Sequence, residues 1–333
     1  MEATTEGNVR TGIIKRPENT TVIIRAGYSV ICEIEDRPGV VLKVPLPFEE
    51  YEEAIEIEKR AYCRLGKHPN LANVIEMDKW GIYLERAEPG CLRLYYKEGG
   101  EATLEERTKW CQDLARVLHY VHQNNIRHAD LSGRNLLLDS ARNILLCDFS
   151  GCSIDNDKAL IIAEIGFRHP EKQEYCLPTI RSEIHSLGST IYEIMTGRKP
   201  FQERLAKQER GILTLTEQDR EIQKLAEQER EVQRLMEEGK YPDVSKLPLG
   251  DVIAECWKRD GFYGSAADVA EDITRSASRY LAREHPSLLF TKDLPRRSSD
   301  KNSSSLFTKK ELPNTSGEDT SDRSFEKEDL IAN

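Results

Sequence analysis

The chain has 333 residues, of which 38% are hydrophobic and 32% are charged, and its formal net charge at pH 7 is −10. This length predicts a large core in two lobes or domains, and the acidic balance argues against a general binder of nucleic acid or membrane surfaces. Eight scattered cysteines form no C-x-x-C pair, and we find neither a secretory signal nor an apolar run of about 18 residues. We therefore expect a soluble intracellular protein of the cytoplasm or nucleus.

The first part of the chain has the pattern of strands followed by a helix. Residues 1–19 are polar, and we predict that they are disordered. The stretch 20–45 contains β-branched runs separated by Gly27 and by the turn EDRPG, which predicts three strands. Periodic apolar residues over 48–65 predict a helix that stops at Gly66.

One residue breaks the apolar face of that predicted helix. The face consists of residues spaced by three or four positions: Phe48, Tyr51, Ile55, Tyr62 and Leu65. Glu58 lies on the same face, where a carboxylate is costly unless it is paired. Lys43 lies inside the apolar strand VVLKV, where an ammonium is likewise costly unless it is paired. We predict that the two form an ion pair; the alternative for the lysine is that its ammonium reaches water.

Further along, helical patterns replace strands. GIYLERAEPG predicts a short strand that ends in a Pro-Gly loop. A helix is predicted from Thr103, which forms a capping box with Glu106. NLLLD and NILLCDF predict two short strands, and the patterns from Ser182 onward are mostly helical.

The segment IRHADLSGRNLLLD concentrates polar side chains directly before a predicted strand. Asp130 and Asn135 are five residues apart in a tight loop, with Arg134 beside them, and the next strand ends at Asp148. Two carboxylates, an amide oxygen and nearby cations suit Mg²⁺ bound to a polyphosphate, because Mg²⁺ prefers a few oxygen ligands together with substrate phosphates. Each residue alone is typical of a turn, so the ordered set carries the prediction.

In this order, the motifs VVLKV, HADLSGRN, DFSG, RHPE and SEIHSLGSTIYEIMTGRKPF resemble a eukaryotic-type protein kinase domain. The resemblance runs from about Thr20 to Arg283 and is greatest to divergent serine/threonine protein kinases of filamentous fungi. It implies a bilobal α+β fold, with a small antiparallel β-sheet lobe carrying one helix (20–86) and a larger, mainly helical lobe (87–283).

The resemblance also implies an activity and a set of site residues. The expected activity is transfer of the γ-phosphate of ATP, with Mg²⁺, to a protein hydroxyl, and serine or threonine is the expected acceptor. The catalytic residues that it implies are Lys43, Glu58, Asp130 and Arg134, and the metal ligands are Asn135 and Asp148. The implied ATP-binding residues are Gly27, Val30, Lys43, Leu84, Glu85 and Ala87.

The chain departs from the family pattern at several positions. Gly27 alone represents the glycine-rich loop, Ala129 replaces the arginine of H-R-D, and Ser150 replaces the glycine of D-F-G. Glu183 stands where an aspartate usually braces the catalytic loop, and no arginine is in the usual place to pair with Glu171. A pseudokinase scaffold that binds partners is therefore an alternative, and a small-molecule kinase of the aminoglycoside or choline type is a weaker one.

Two segments fall outside this pattern. Residues 205–235 contain three copies of a ten-residue unit with near-helical apolar spacing, which predicts a solvated helical insertion or a helix that binds a partner. The tail, 284–333, is rich in polar residues and is predicted to be disordered.

Overall fold

The computed structural model describes residues 13–205, 215–259 and 263–284, all of which lie within one compact unit. Most of the predicted disordered N-terminus and all of the predicted disordered tail except Glu284, which ends a helix, lie outside these residues. Of the predicted N-terminal segment, residues 13–19 are described, and Ile14 packs against the apolar cluster of the neighbouring sheet.

The N-terminal part is an antiparallel sheet in the order β1-β2-β3-β5-β4. Its five strands are β1 (Thr20–Arg25), β2 (Ser29–Ile34), β3 (Val40–Pro45), β4 (Val74–Met77) and β5 (Ile82–Glu85). In β3, Lys43 lies opposite Ile31 of β2 and Ile82 of β5. Because the strand alternates, Lys43 and Val41 share one face of the sheet, and Val41 is paired with Leu84 on that face.

The first helix, α1 (Glu49–Leu65), packs beside this sheet. Its first turn is acidic, which favours the positive end of the helix dipole. It ends at Gly66, whose φ of 60° suits a glycine. Glu58 is among the buried residues of the helix, as the pattern of its apolar face predicts.

The larger part of the structure is mainly helical. Its helices are α2 (Leu92–Lys97), α3 (Leu104–Gln123), α4 (Ile180–Thr196), α5 (Leu215–Glu237), α6 (Gly250–Cys256) and α7 (Ala266–Glu284). The predicted capping box of Thr103 and Glu106 starts α3, and a second box, of Thr179 and Ser182, starts α4. Within the described ranges, no helix has both the length and the apolar character needed to cross a bilayer.

Two small antiparallel ribbons connect α3 to α4. They consist of β6 (Ile126–Arg127) with β9 (Ser153–Ile154), and β7 (Leu136–Leu138) with β8 (Ile144–Leu146). The polar loop at Asp130 lies between β6 and β7, and Asp148 follows β8. The two ribbons therefore hold the loop and Asp148 on neighbouring chain segments.

One apolar core runs through both parts of the molecule. It includes Ile55 and Tyr62 of α1, Leu131 of the polar loop, and Phe149 after β8. Phe149 is fully buried, and its ring lies 5.3 Å from that of Tyr62 and 5.0 Å from that of His128. The chain thus has the bilobal protein-kinase architecture that the motifs imply, and Phe149 connects α1 to the polar loop.

Candidate active site

Lys43 of β3 and Glu58 of α1 form a buried ion pair. Lys43 Nζ lies 2.5 Å from Glu58 Oε2, and their side chains are 5% and 1% exposed. Glu58 Oε1 also accepts the backbone N–H of Phe149 at 3.2 Å. Burial alone would lower the pKa of Lys43, but the carboxylates of Asp148 and Glu58 raise it above its ordinary value, so the ammonium stays charged. The ion pair expected from the sequence is present.

The same ammonium reaches across to the larger part of the structure. Lys43 Nζ donates to Oδ1 of Asp148 at 2.7 Å, and the Ser150 hydroxyl donates to that same oxygen. Burial opposes ionisation of Asp148, but Lys43 and Ser150 outweigh it and lower its pKa to about 2. Asp148 is therefore an anion whose second oxygen, Oδ2, has no donor among the described residues. Its side chain is 31% exposed and so faces the opening of the cleft.

Backbone strain accompanies this arrangement. Asp148 has a φ of 64°, which is uncommon for a residue other than glycine. Gly151 has a φ of 92°, so the glycine that follows Ser150 provides the left-handed turn after the motif. Ser150 is thereby accommodated at the position of the family's glycine, and its hydroxyl orients the Asp148 carboxylate.

The polar loop places Asp130 between an arginine and an amide. Arg134 Nη2 lies 3.0 Å from Oδ1 and 2.8 Å from Oδ2 of Asp130. The Asn135 side-chain N–H₂ donates to the Asp130 backbone carbonyl at 2.8 Å and to its Oδ2 at 3.0 Å. This directs the Asn135 amide oxygen away from Asp130, and among the described residues that oxygen accepts no hydrogen bond. Burial raises the pKa of Asp130, and Arg134 opposes that rise.

Two buried glutamates of α4, Glu183 and Glu193, accept hydrogen bonds from the backbone of the polar loop. Glu183 accepts the backbone N–H of His128 at 2.8 Å and that of Ala129 at 2.9 Å. Its longer side chain thus reaches the loop. Glu193 accepts the N–H of Gly133 at 2.8 Å, and a Cβ at Gly133 would lie 2.7 Å from the Glu193 carboxyl carbon. Gly133 is required here because of this close approach.

Glu193 and its partners were not predicted from the sequence. Arg93 of α2 binds Glu193 through Nε at 2.6 Å and Nη2 at 3.0 Å, and its Nη1 lies 2.5 Å from Glu164. The available signal was of the kind that identified Glu58, since Glu193 lies in the apolar stretch STIYEIMTG and a buried carboxylate needs a partner. Nothing in the sequence indicated that the partner would be Arg93.

Glu171, which has no arginine at the family's usual position, is paired with two other arginines, and one of them is Arg259, whose Nε lies 3.4 Å from Glu171 Oε1. Arg181 Nη2 lies 2.6 Å from Glu171 Oε2 and also contacts Glu174. Together with His169, these two carboxylates place three potential metal-ligand atoms within 4.8 Å. However, Arg181 and Arg259 together already balance the charge of the two carboxylates. In addition, His169 Nδ1 accepts the N–H of Glu171 at 3.2 Å, so Nε2 carries the ring proton. The cluster is an ion-pair network and does not have the character of a metal site.

Of the residues expected to bind ATP, Leu84 of β5 lies on the sheet face that carries Lys43 and Val41 and is 7% exposed. Val30 of β2 does not lie on this face: it is paired with Val44, and both are buried in the apolar cluster on the other face of the sheet, because paired residues of an antiparallel sheet share a face.

At the end of β5, the N–H groups of Glu85 and Arg86 are bonded to the carbonyls of Asn73 and Gly39. The amide of Ala87 has no partner among the described residues, so of these three amides only that of Ala87 is available to a base.

The turn between β1 and β2 is the part that represents the glycine-rich loop. A glycine at position 27 is not required for this backbone conformation, since its φ is not in the left-handed region and a side chain there would meet no atom within 4 Å of its Cβ. The turn also contains Tyr28, whose hydroxyl donates to the Leu160 carbonyl at 3.5 Å across the cleft.

Four polar side chains, those of Lys43, Asp130, Asn135 and Asp148, therefore converge. They come from three segments: strand β3, the polar loop and the residues that follow β8. Lys43 contacts Asp148 directly, and Cys147, the residue before Asp148, donates its backbone N–H to the Asn135 carbonyl at 3.0 Å. Asn135 adjoins Asp130. The group offers one carboxylate oxygen, Asp148 Oδ2, and one amide oxygen, Asn135 Oδ1, that no described donor occupies. This donor set fits Mg²⁺, a hard cation that prefers oxygen ligands.

Comparison with known proteins identifies the same family that the sequence motifs resemble. A family model described as "Protein kinase domain" matches residues 46–260, a span that begins three residues after Lys43 and includes the other site residues of the polar cluster. The serine/threonine-protein kinase PrkC of Bacillus subtilis is 28% identical over 144 residues, covering 40% of this chain and 22% of that protein.

Two further relatives are similar at comparable identity. The human mitogen-activated protein kinase kinase kinase 7 is 26% identical over 207 residues, covering 57% of this chain and 33% of that protein. The serine/threonine-protein kinase STY17 of Arabidopsis thaliana is 28% identical over 139 residues, covering 40% and 23%. The matches thus span about a fifth to a third of the length of these curated relatives.

Proposed function

The chain belongs to the protein kinase domain family, and we propose that it is an active, ATP-dependent protein kinase that phosphorylates serine or threonine hydroxyls. The observation that carries the proposal is the convergence of Lys43, Asp130, Asn135 and Asp148 on one cleft. The choice of serine or threonine rests on the names of two relatives, which are serine/threonine-protein kinases.

In this proposal, the charged groups of the cleft bind and orient the nucleotide. The ammonium of Lys43 contacts the α- and β-phosphates, and Glu58 keeps that ammonium aimed into the cleft. Asp148 and Asn135 would hold Mg²⁺ through the two oxygens that lack a described donor. When bound, this ion neutralises charge on the phosphates. The base would lie along Leu84, with Ala87 N–H and the Glu85 carbonyl as its backbone partners and Gly27 in the turn above it; Val30, on the other face of the sheet, supports this site only from behind.

Asp130 acts as the base in the phosphoryl-transfer step. Its carboxylate orients the acceptor hydroxyl and accepts its proton as the oxygen attacks the γ-phosphorus. The bond between the γ-phosphorus and the β–γ bridging oxygen breaks in the same step, and ADP leaves with that oxygen. Arg134, whose guanidinium contacts both carboxylate oxygens, keeps Asp130 ionised in a site where burial favours the neutral acid. Because the Arg134 side chain is 48% exposed, it is also accessible to the transferring phosphate.

The alternative is a scaffold that binds partners without catalysis. It is favoured by the degenerate turn between β1 and β2, which has a single glycine and contacts Leu160 across the cleft through Tyr28. Against it, each charged residue of the cleft is present and paired in a way that leaves the two candidate metal-binding oxygens without a donor among the described residues. A small-molecule kinase is less well supported, since the RHPE segment and α4 match the protein kinase pattern.

An activity measurement separates these proposals. We expect Mg·ATP-dependent phosphorylation of the chain itself or of a generic protein substrate, and we expect Asp130→Asn to abolish it while nucleotide binding persists. Asp36→Asn, at an exposed turn distant in sequence, is the matched control and should keep full activity. Equal incorporation by the wild type and Asp130→Asn, or none by either, would rule out catalysis. Phosphoamino-acid analysis of the product would test the choice of serine or threonine.

We also propose an intracellular location, in the cytoplasm or nucleus. All eight cysteines are unpaired, four of them buried. Free thiols persist in reducing compartments. Detection of an intramolecular disulfide in the protein isolated from cells under non-reducing conditions would contradict this location.

A further inference from the structure

A basic cavity of about 390 Å³ lies at the C-terminal end of α4, away from the cleft. Its walls come from the residues that follow α4 and from those that follow α5. Four cationic side chains line it: Arg198, Lys199, Arg204 and Lys240. The only carboxylate among the lining residues that are described is that of Glu203. Because the whole chain has a net charge of −10, this cluster is a local reversal of charge.

Three of the four cations of the cavity are available to a ligand, whereas the fourth, Lys199, is paired with Glu164. Arg204 has no ion-pair partner among the described residues, and the contact between Arg198 and Glu203 is long, at 3.6 Å, between side chains that are 65% and 89% exposed. Lys240 pairs with Glu238 at 2.7 Å, and both side chains are partly exposed. Exposed pairs of this kind contribute little stability and exchange readily with an external anion.

The walls of the cavity are rigid and aromatic. Tyr241 stacks on Trp257 with ring centroids 4.7 Å apart, and its hydroxyl is 2.9 Å from His185 Nε2. Phe201 is 8% exposed, and its φ of 59° is a strained value for a bulky residue. Strain of this kind persists only where the surrounding packing enforces it. The cavity is therefore formed before any ligand binds.

A chain of contacts connects the cavity to the loop of Asp130. Lys199 Nζ lies 3.2 Å from Glu164 Oε2, and Glu164 is bound by Arg93. Arg93 in turn binds Glu193, which accepts the N–H of Gly133 in the polar loop. Every member of this chain is a direct ion pair or hydrogen bond. The cavity is thus held in a fixed position relative to the proposed reaction centre.

We propose that this cavity is a docking site for an anionic side chain, a phosphoryl group or a carboxylate, on a protein segment of the substrate. This rests on the proposed function for the identity of the docked protein as a substrate. Two arginines and two lysines match a compact anion, and the aromatic walls match the hydrocarbon part of a peptide. A protein segment is favoured over a nucleic acid because the net charge of the chain, −10, repels an extended polyanion.

Direct binding tests the proposal independently of catalysis. The probes are fluorescently labelled β-casein and the same protein after enzymatic removal of its phosphates, and the host is the full chain with Asp130→Asn, so that no transfer occurs. We expect Arg204→Glu with Lys240→Glu to weaken β-casein binding by about tenfold or more, in line with the loss of a charge-assisted hydrogen bond. Lys67→Glu with Lys97→Glu is the matched control, since both lysines are exposed and lie outside this cavity.

Comparison of the phosphorylated and the dephosphorylated β-casein identifies which anionic group binds in the cavity. A larger effect of the charge reversal on the phosphorylated probe assigns a phosphoryl group, and an equal effect on both probes assigns carboxylates. The proposal is overturned if the double variant binds β-casein as tightly as its parent, if the control pair loses as much affinity, or if β-casein does not bind at all. Tighter, cavity-dependent binding of a single-stranded oligonucleotide would also overturn it, in favour of nucleic acid.

Kinetics then separates this inference from the proposed function. In the chain with Asp130 intact, the charge reversal should raise KM for casein while kcat and the KM for ATP stay unchanged. Activity with an unchanged KM would overturn the docking site and leave the kinase assignment standing. Cavity-dependent binding without any activity would leave the anion site standing and overturn the kinase assignment.

Discussion

At the scale of single residues, burial and neighbouring cations have opposite effects on the pKa values of the two aspartates in the cleft. Asp130 is buried and Asp148 is half-buried, and their pKa values move in opposite directions. Lys43 binds Asp148 directly and lowers its pKa to about 2, whereas Arg134 is half-exposed and only partly counters the burial of Asp130. One carboxylate is therefore held as a permanent anion and the other as a group whose protonation can change.

This difference predicts that a substitution of Arg134 changes the pH dependence of activity. A base must be ionised to work, so activity should fall on acidification through the pKa of Asp130, which is raised above its ordinary value of 3.8. Arg134→Ala removes a charge that lowers this pKa, so the acid limb of kcat/KM should move to higher pH. The measurement is a pH–rate profile over the range in which circular dichroism shows the fold intact.

Arg134→Lys is the control for that profile, because it keeps the positive charge and should leave the acid limb close to that of the wild type. An acid limb that stays in place in Arg134→Ala, or that moves to lower pH, would contradict the role assigned to Arg134.

At the scale of elements, α4 positions the polar loop. Its glutamates at 183 and 193 are each 2% exposed or less, and both accept backbone N–H groups of the loop. Helix α4 is itself held in place by its capping box and by its packing on α3 and α6. The loop thus takes its shape from a helix that begins about fifty residues later in the chain.

We predict that Glu183→Gln lowers both stability and activity. A carboxylate accepts the N–H groups of His128 and Ala129 with separate oxygens, whereas glutamine would aim its own N–H₂ at one of them. Leaving that buried donor unpaired should cost about 1–3 kcal/mol, which urea denaturation would measure. Glu105→Gln, at an exposed position in the first turn of α3, should change the free energy of unfolding by less than about 0.5 kcal/mol. Similar losses from the two substitutions would contradict this role of Glu183.

At the scale of the whole molecule, the insertion predicted over 205–235 is part of the fold at its C-terminal end. Residues 206–214 lie outside the described residues, and among the described side chains of α5, those of 223–237, the fully buried ones are in the last turns. There, Val232 and Met236 are 0% and 1% exposed and form an apolar cluster with Ile165 and Phe201. The end of α5 therefore packs on the segment that follows Asp148, and binding of a helical partner by the insertion stays a prediction.

Hydrogen bonds strengthen this contact. Gln233 donates to the Pro170 carbonyl at 2.9 Å, and its side-chain oxygen accepts the Tyr175 hydroxyl at 2.9 Å. The segment around Glu171 is therefore held by α5 as well as by Arg181. The predicted solvated extension is, over its last turns, a structural element of the larger lobe.

This packing predicts that alanine substitutions at two positions of α5 lower the free energy of unfolding by different amounts. Met236→Ala should lower the free energy of unfolding by about 2–5 kcal/mol, because it leaves a cavity in a closed cluster. Leu225→Ala, on the same helix but only half-buried, should cost less than about 1 kcal/mol. Chemical denaturation of both variants measures the difference. Equal costs would mean that the end of α5 is not anchored in this way.

The sequence by itself determined the elements whose signals are local. The capping box at Thr103, the strand pattern around Lys43 and the unmatched Glu58 on an apolar helix face each follow from a few neighbouring residues and the period of the element. The order of the motifs adds the family and its bilobal fold. Local periodicity is readable because a helix or strand repeats its geometry every few residues.

Only the tertiary structure decided which distant groups meet. Neither the bond from Lys43 to Asp148, nor the links of Arg93 with Glu193 and of Arg181 with Glu171, has a local signature, since each joins residues on different elements. Such pairs depend on how helices pack and on which rotamer each side chain adopts, and a buried charge indicates only that some partner must exist. The basic cavity after α4 has the same origin, because its walls come from two segments that only folding brings together.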